Sequence, residues 1–199
     1  MTTRGIIFDM DGTLVDSGLD FDAMRAEMDL APGHPILEAL ETLPEPRATV
    51  CREILLRHEQ AGVDRALLHS GVEKFLDRVD AYGWRRAILT RNSRAMTLAT
   101  LAKFGFEFDP VVAREDAPPK PDPTAIWQIC EAWGAAAAEV VIIGDYRYDL
   151  EAGRRAGSRT VLYLGGRSLA DIPYRDLADF VIDSFDEIEP LATWLAEST

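Results

Sequence analysis

The chain is poor in cysteine, poor in lysine and without a long apolar run, and each shortage removes a class of protein. Its 199 residues include 2 cysteines, Cys51 and Cys130, too few for a disulfide framework. A reducing, cytoplasmic setting is therefore expected. No apolar stretch approaches the roughly 20 residues that span a bilayer. The opening Met1-Thr2-Thr3-Arg4 leads into the strand-sized run Gly5–Phe8, which lacks the core of a signal peptide. Positive charge is the third shortage. Lys and Arg total 21 against 34 Asp and Glu, a formal net charge of −13, and Lys74, Lys103 and Lys120 are the only lysines. So negative a surface argues against nucleic acid and against anionic membrane as partners, and it favours solubility. An anion is recruited to such a chain only through a metal ion or a local concentration of donors.

What is present points to a globular enzyme-sized domain. The 47% of hydrophobic residues is ordinary for a folded protein and too high for intrinsic disorder. A chain of this length buries one full core and has room for a small insert. Short Val- and Ile-rich runs at Gly5–Phe8, Arg86–Thr90, Pro110–Ala113, Val140–Ile143, Thr160–Leu164 and Phe180–Ile182 read as strands covered on both faces. Helical spacing fills the intervals at Val72–Tyr82, Arg94–Phe104, Pro123–Trp133 and Leu150–Ala156. Gly83, Gly105, Gly134 and Gly157 stand where helices commonly stop. The alternation predicts an α/β fold, a Rossmann-like parallel sheet with helices on both faces.

One segment breaks the alternation. Residues 16–69 offer no strand but three helical patterns, Phe21–Leu30, Ile36–Leu43 and Arg47–Ala61, punctuated by Pro32, Pro35, Pro44 and Pro46. A βαβ crossover needs one helix. The stretch is therefore expected to be a small all-helical insert, leaving residues 1–15 and 70–199 to form the α/β core.

Charged residues gather where strands end. The first strand closes in Asp9-Met10-Asp11-Gly12-Thr13, placing two carboxylates at the carboxyl end of an apolar strand, where open α/β sheets put their ligands. Carboxylates this close need a cation, a shared proton or divergent pKa values. Gly12 lets the backbone turn and approach a ligand. A second acidic group follows Val140–Ile143 as Gly144-Asp145, with Asp149 beyond, and such oxygen-rich clusters suit a hard cation such as Mg²⁺. Asp149 reads equally as the N-cap of the next helix. Thr90 closes another strand and is followed by Arg91 and Asn92 just before a helix, a candidate anion site. Ser93 reads as that helix's N-cap rather than a ligand. Lys120 sits in Pro118-Pro119-Lys120-Pro121-Asp122-Pro123, a stiff frame for one of so few lysines, although a loop lysine at the surface fits the same frame.

The order Asp-x-Asp-Gly-Thr, Thr, Lys-Pro, Gly-Asp-x-x-x-Asp resembles the haloacid dehalogenase superfamily of phosphohydrolases. The resemblance covers essentially the whole chain. The helical insert looks like the small helical cap of the phosphoglycolate phosphatase-like branch, although it is somewhat short for it. The resemblance implies an Asp9 nucleophile that forms an aspartyl-phosphate. It implies Asp11 as the acid that protonates the leaving alcohol and then the base that activates water. Mg²⁺ would be held by Asp9, the Asp11 carbonyl and Asp145, with Asp149 close behind. Thr90 and Lys120 would grip the phosphoryl oxygens, with Arg91 beside them and Gly12 and Asn92 contributing N–H groups, while Lys120 also keeps Asp9 ionised. Asp11 separates the chain from the hydrolytic dehalogenases, which lack the second aspartate.

The expected activity is a Mg²⁺-dependent phosphatase acting on a small phosphorylated metabolite, as a monomer or dimer. A phosphomutase of the β-phosphoglucomutase type shares the same motifs. A non-catalytic phospho-accepting switch like the response-regulator receivers is more distant, because a receiver's acceptor ends a middle strand. Tyr146 departs from the resemblance, since many relatives carry a small residue after Gly-Asp; it either narrows the entrance or contacts substrate. Arg47, Arg52 and His58 in the insert either face the site or line a solvated helix face.

Overall fold

A computed structural model describes residues 3–197 of the chain. In chain order the elements are β1 (Gly5–Phe8), β2 (Val15–Asp16), α1 (Phe21–Glu27), α2 (Ile36–Thr42), α3 (Arg47–Arg65), β3 (Leu67–Leu68), α4 (Val72–Ala81), β4 (Arg85–Leu89), α5 (Arg94–Phe104) and β5 (Val111–Val112). They continue with α6 (Thr124–Trp133), β6 (Val140–Gly144), α7 (Arg147–Ala156), β7 (Arg159–Tyr163), β8 (Phe180–Ile182) and α8 (Ile188–Glu197). Two units emerge. One holds the described residues through Asp16 and from Leu67 onward, and the other is Ser17–Ala66.

The larger unit is the expected α/β fold. Its 6-stranded sheet runs in the order β5-β4-β1-β6-β7-β8, and every neighbouring pair is parallel. Alternate side chains divide between two cores. Ile6, Phe8, Ile88, Val141 and Ile143 pack on one face with α4 and α8, while Ile7, Ala87, Leu89, Val140 and Ile142 pack on the other with α6. Burial on both faces is why these strands read as unbroken apolar runs. The chain leaves β1 for β4 on one side and later returns to β6 on the other. The crevice above the ends of β1, β4 and β6 is thus the place where strand order reverses.

The smaller unit is all-helical. Met24, Met28, Ile36, Cys51 and Leu55 form its core. Asp20 starts α1 by accepting from the Asp22 and Ala23 N–H groups at 3.1 and 2.8 Å. Arg47 donates to the Asp29 carbonyl at 2.9 Å, Arg52 pairs with Glu45 at 2.8 Å, and His58 meets Glu27 at 2.9 Å. All of these partners belong to the same unit.

Several element boundaries differ from the sequence reading. Residues 16–69 do contain strand: Val15–Asp16 pairs antiparallel with Leu67–Leu68. Pairs this short carry no periodicity to detect. Helix α3 continues past Ala61 to Arg65, and α7 begins at Arg147 rather than Leu150. Pairing in β5 is confined to Val111 and Val112. The terminal helix α8, unassigned from sequence, buries Ile188, Leu191 and Leu195. Among the described residues no helix is long and apolar enough to cross a membrane.

Candidate active site

The site is built at the carboxyl ends of β1, β4 and β6. Asp9 follows β1 directly, and its N–H donates to the Ile143 carbonyl at 2.9 Å, fixing it against β6. The next residues fold back at once: the N–H groups of Leu14 and Val15 both reach the Met10 carbonyl at 3.0 Å. Gly12 makes that turn with φ +83°, and a Cβ there would stand 2.9 Å from both carboxylate oxygens of Asp145. Only glycine meets both demands. The turn brings Thr13 Oγ1 to donate to Asp145 Oδ1 at 3.1 Å.

Asp149 lies in the first turn of α7, and its position requires Gly144. A Cβ on Gly144 would come within 2.3 Å of both Cβ and Cγ of Asp149. Asp149 is not the helix N-cap; that position belongs to Tyr146, whose N–H donates to Asp149 Oδ2 at 3.1 Å. Asp9, Asp145 and Asp149 each offer a carboxylate oxygen, and these atoms lie within 4.8 Å of one another.

Lys120 bridges two members of this acidic group. Its Nζ donates to Asp9 Oδ1 at 2.6 Å, to Asp149 Oδ1 at 2.5 Å and to the Leu89 carbonyl at 2.8 Å. Those bonds engage all the hydrogens of an ammonium. Lys120 is 3% exposed, so the chain's one buried lysine spends its charge on one carboxylate that follows β1 and one in the first turn of α7. Arg91 donates to the Lys120 carbonyl and lies over the Tyr148 ring, 4.8 Å from its centroid. It braces the lysine loop.

Thr90 and Asn92 complete the floor. Thr90 Oγ1 accepts from the Asn92 N–H at 3.0 Å, so its hydroxyl keeps its own hydrogen as a donor. The Asn92 N–H is thereby engaged within the loop. Its side chain turns to Asp11, with Nδ2 donating to Asp11 Oδ2 at 3.0 Å. Ser93 caps α5 as expected, accepting from the Met96 N–H at 3.4 Å.

Crowding sets the electrostatics. Burial, and then the neighbouring Asp149 and Asp145 charges, hold the Asp9 carboxyl well above the usual carboxylate range, against the pull of Lys120. Burial and Asp149 push Asp145 up to about 6. Burial works against a charged Lys120, but Asp149 and Asp9 outweigh it and raise its pKa. A pocket with more carboxylates than cations is an incomplete set of charges. Its all-oxygen donors and close spacing fit a hard divalent cation such as Mg²⁺.

Sequence reasoning missed three groups here. Arg167 sits 3.5 Å from Asp145 Oδ2 and donates to the Asp145 carbonyl at 2.9 Å. Tyr174 donates its hydroxyl to that same carbonyl at 3.1 Å. The Leu89 carbonyl is the third partner of Lys120. Neither Arg167 nor Tyr174 stands in a motif. Thr13 was within the first motif, but its bond to Asp145 becomes visible only when β1 and β6 lie side by side.

Comparison with known proteins gives a consistent picture. A model of the family of haloacid dehalogenase-like hydrolases matches residues 24–163. A haloacid dehalogenase-like hydrolase domain-containing protein of Arabidopsis thaliana is 30% identical, over 94% of this chain and 83% of its own. A phosphoglycolate phosphatase of Xanthomonas campestris is 28% identical over 96% of this chain and 97% of its own. Among solved structures, a hydrolase from Pseudomonas syringae superposes with a TM-score of 0.78 at 21% identity, covering 96% of this chain and 99% of that one.

Proposed function

This chain belongs to the haloacid dehalogenase-like hydrolase family, and from that premise we propose that it is a Mg²⁺-dependent phosphatase hydrolysing a small phosphorylated metabolite through an aspartyl-phosphate on Asp9. The observation that carries the reading is the meeting of Asp9 and Asp145 at the ends of β1 and β6 with Asp149 in the first turn of α7, where buried Lys120 bonds Asp9 and Asp149. Relatives that act on phosphoglycolate support a phosphate ester as the substrate. The helical unit, in this reading, is the cap that the sequence anticipates.

The residues divide the work. Asp9, Asp145, the Asp11 carbonyl and Asp149 would hold Mg²⁺, which supplies positive charge where an anionic nucleophile meets an anionic phosphate. Lys120 aims Asp9, and its ammonium, together with the cation, would favour the charged carboxylate against the burial that raises its pKa. The Asp9 oxygen attacks phosphorus and the bond to the leaving oxygen breaks. Asp11, positioned by Asn92 Nδ2, gives that oxygen its proton. In the second half Asp11 takes a proton from water, which attacks phosphorus, frees Asp9 and releases inorganic phosphate. The Thr90 hydroxyl is a donor to the phosphoryl oxygens, and Lys120 joins it by exchanging one of its present partners. The Gly12 N–H is not available to the same group, because it donates to the Val15 carbonyl at 2.8 Å; having no side chain, Gly12 instead leaves room for the Asp145 carboxylate. A cytoplasmic location is part of the proposal and is supported by the free state of Cys51 and Cys130.

Hydrolysis of 4-nitrophenyl phosphate with Mg²⁺ tests the proposal, with Asp9→Asn as blank. Activity that withstands EDTA, or that survives in Asp9→Asn, overturns it. Interconversion of sugar phosphates without phosphate release would instead identify a mutase.

A further inference from the structure

Three of the chain's 5 tyrosines, Tyr146, Tyr148 and Tyr174, meet beside the carboxylates, and the phosphoryl chemistry leaves their rings unused. Tyr146 directly follows Asp145. Its ring packs edge-to-face with Tyr148, at 5.1 Å and 78°, and with Tyr174, at 5.5 Å and 67°. Even so, Tyr146 remains 46% exposed. An aromatic ring on so negative a surface, open to water but held on two sides, is not accounted for by packing alone.

Each of the three residues is tied to the site, Tyr146 through its backbone and the other two through their side chains. The Tyr146 N–H is held by Asp149, and the Tyr174 hydroxyl by the Asp145 carbonyl, each at 3.1 Å. Tyr148 lies under the guanidinium groups of Arg91 and Arg147, 4.8 and 5.1 Å from its centroid. Arg91 in turn holds the Lys120 carbonyl. A free surface tyrosine loses rotamer freedom when a ligand stacks on it; one already braced loses little. Tyr146 follows Asp145 directly in the chain, and its two ring partners are tied to the site, Tyr174 by its hydroxyl to the Asp145 carbonyl and Tyr148 through Arg91 to the Lys120 carbonyl.

We propose that Tyr146, braced by Tyr148 and Tyr174, is a stacking platform that selects phosphate monoesters whose leaving group carries an aromatic or heteroaromatic ring near the ester oxygen. This rests on the phosphatase reading and narrows its substrate class. Tyr146 is thereby a specificity residue rather than a catalytic one.

The test compares benzyl, cyclohexylmethyl and ethyl phosphates, whose leaving alcohols are similarly acidic. The first two match in bulk, but only benzyl offers a π face. Wild type should favour benzyl over cyclohexylmethyl in kcat/KM. Tyr146→Leu, which keeps the bulk, should lower the benzyl-to-ethyl ratio about tenfold, mainly through KM, in line with a single aromatic stack. Tyr146→Phe should retain the ratio. Calorimetric titration of benzylphosphonate and ethylphosphonate into the Mg²⁺-supplied protein reads the same preference without turnover. Equal ratios in wild type and Tyr146→Leu, or equal use of the benzyl and cyclohexylmethyl compounds, overturn the proposal. If no ester is hydrolysed, the phosphatase reading fails by itself, and the phosphonate affinities still decide the platform.

Discussion

Lys120 Nζ lies 2.6 Å from Asp9 Oδ1 and 2.5 Å from Asp149 Oδ1, so one ammonium ties the carboxylate after β1 to the carboxylate after β6. A proline frame holds the lysine, Gly144 admits Asp149, and the register of β1 with β6 sets Asp9 opposite. The link is structural and chemical at once. It offsets the repulsion within the cluster, and its pull on the proposed nucleophile favours the charged carboxylate against burial and the neighbouring aspartates.

Removing that ammonium should therefore damage both properties. Lys120→Met leaves buried carboxylates without their cation, a class of change that costs about 3–5 kcal/mol. Denaturant unfolding near neutral pH should show a loss of this size, with the activity of the proposed phosphatase falling below detection. The stability deficit should shrink as pH falls and the carboxylates take up protons. A variant as stable as wild type near neutral pH would remove Lys120 from this role.

Asp145 gives a pH dependence of definite sign. Its pKa rises from 3.8 to about 6 on folding, with burial as the main cause, so between those values the folded protein binds more protons than the unfolded one. The contribution of Asp145 to the stability of the metal-free protein should therefore be fully present below that window and be lost as pH rises through it. The raised Asp9 pKa acts in the same direction. Asp145→Asn keeps an acceptor for Thr13 and should stabilise the metal-free protein near pH 7.5 by about 1–3 kcal/mol. Thermal melts in EDTA across pH check both statements. In wild type, added Mg²⁺ should raise the melting temperature more near pH 7.5 than near pH 5, where binding must displace protons.

Gly144 tests how closely the end of β6 must approach Asp149. Ala at this position places a Cβ within 2.3 Å of Asp149, and the displaced atoms belong to a side chain held by Lys120 and the Tyr146 N–H. Gly144→Ala should cost about 1–3 kcal/mol in stability, as overpacking in a tight core does. Activity should fall about a hundredfold, as it does when supporting partners of a metal site are disturbed. A variant with wild-type melting and turnover would show that Asp149 can move without consequence.

Much of this was legible from residues alone, and the limits have physical causes. Strands buried on both faces announce themselves by unbroken apolar runs, so β1, β4 and β6, with Asp9, Thr90 and Asp145 at their ends, stood out. Helix stops at Gly105, Gly134 and Gly157 were equally plain, since each adopts the left-handed conformation that favours glycine. The two-residue ribbon of Val15–Asp16 with Leu67–Leu68 was invisible because pairing, not pattern, creates it. Arg167 and Tyr174 were missed because they reach Asp145 through backbone contacts that no spacing encodes. Lys120 stood out for its rarity and its proline frame. That it bridges Asp9 and Asp149, rather than pointing outward, needed the fold.

The most direct test of the central claim is the covalent one. Asp11 is the proposed base for the second step, and its Oδ2 is held by Asn92 Nδ2 at 3.0 Å. In Asp11→Asn the aspartyl-phosphate should therefore form from an activated aryl phosphate and decay slowly. Acid quenching after one turnover, borohydride trapping and peptide mass spectrometry should find the modification on Asp9, absent from Asp9→Asn. A phosphorylated residue elsewhere, or turnover with no trapped Asp9 in either wild type or Asp11→Asn, would contradict the account.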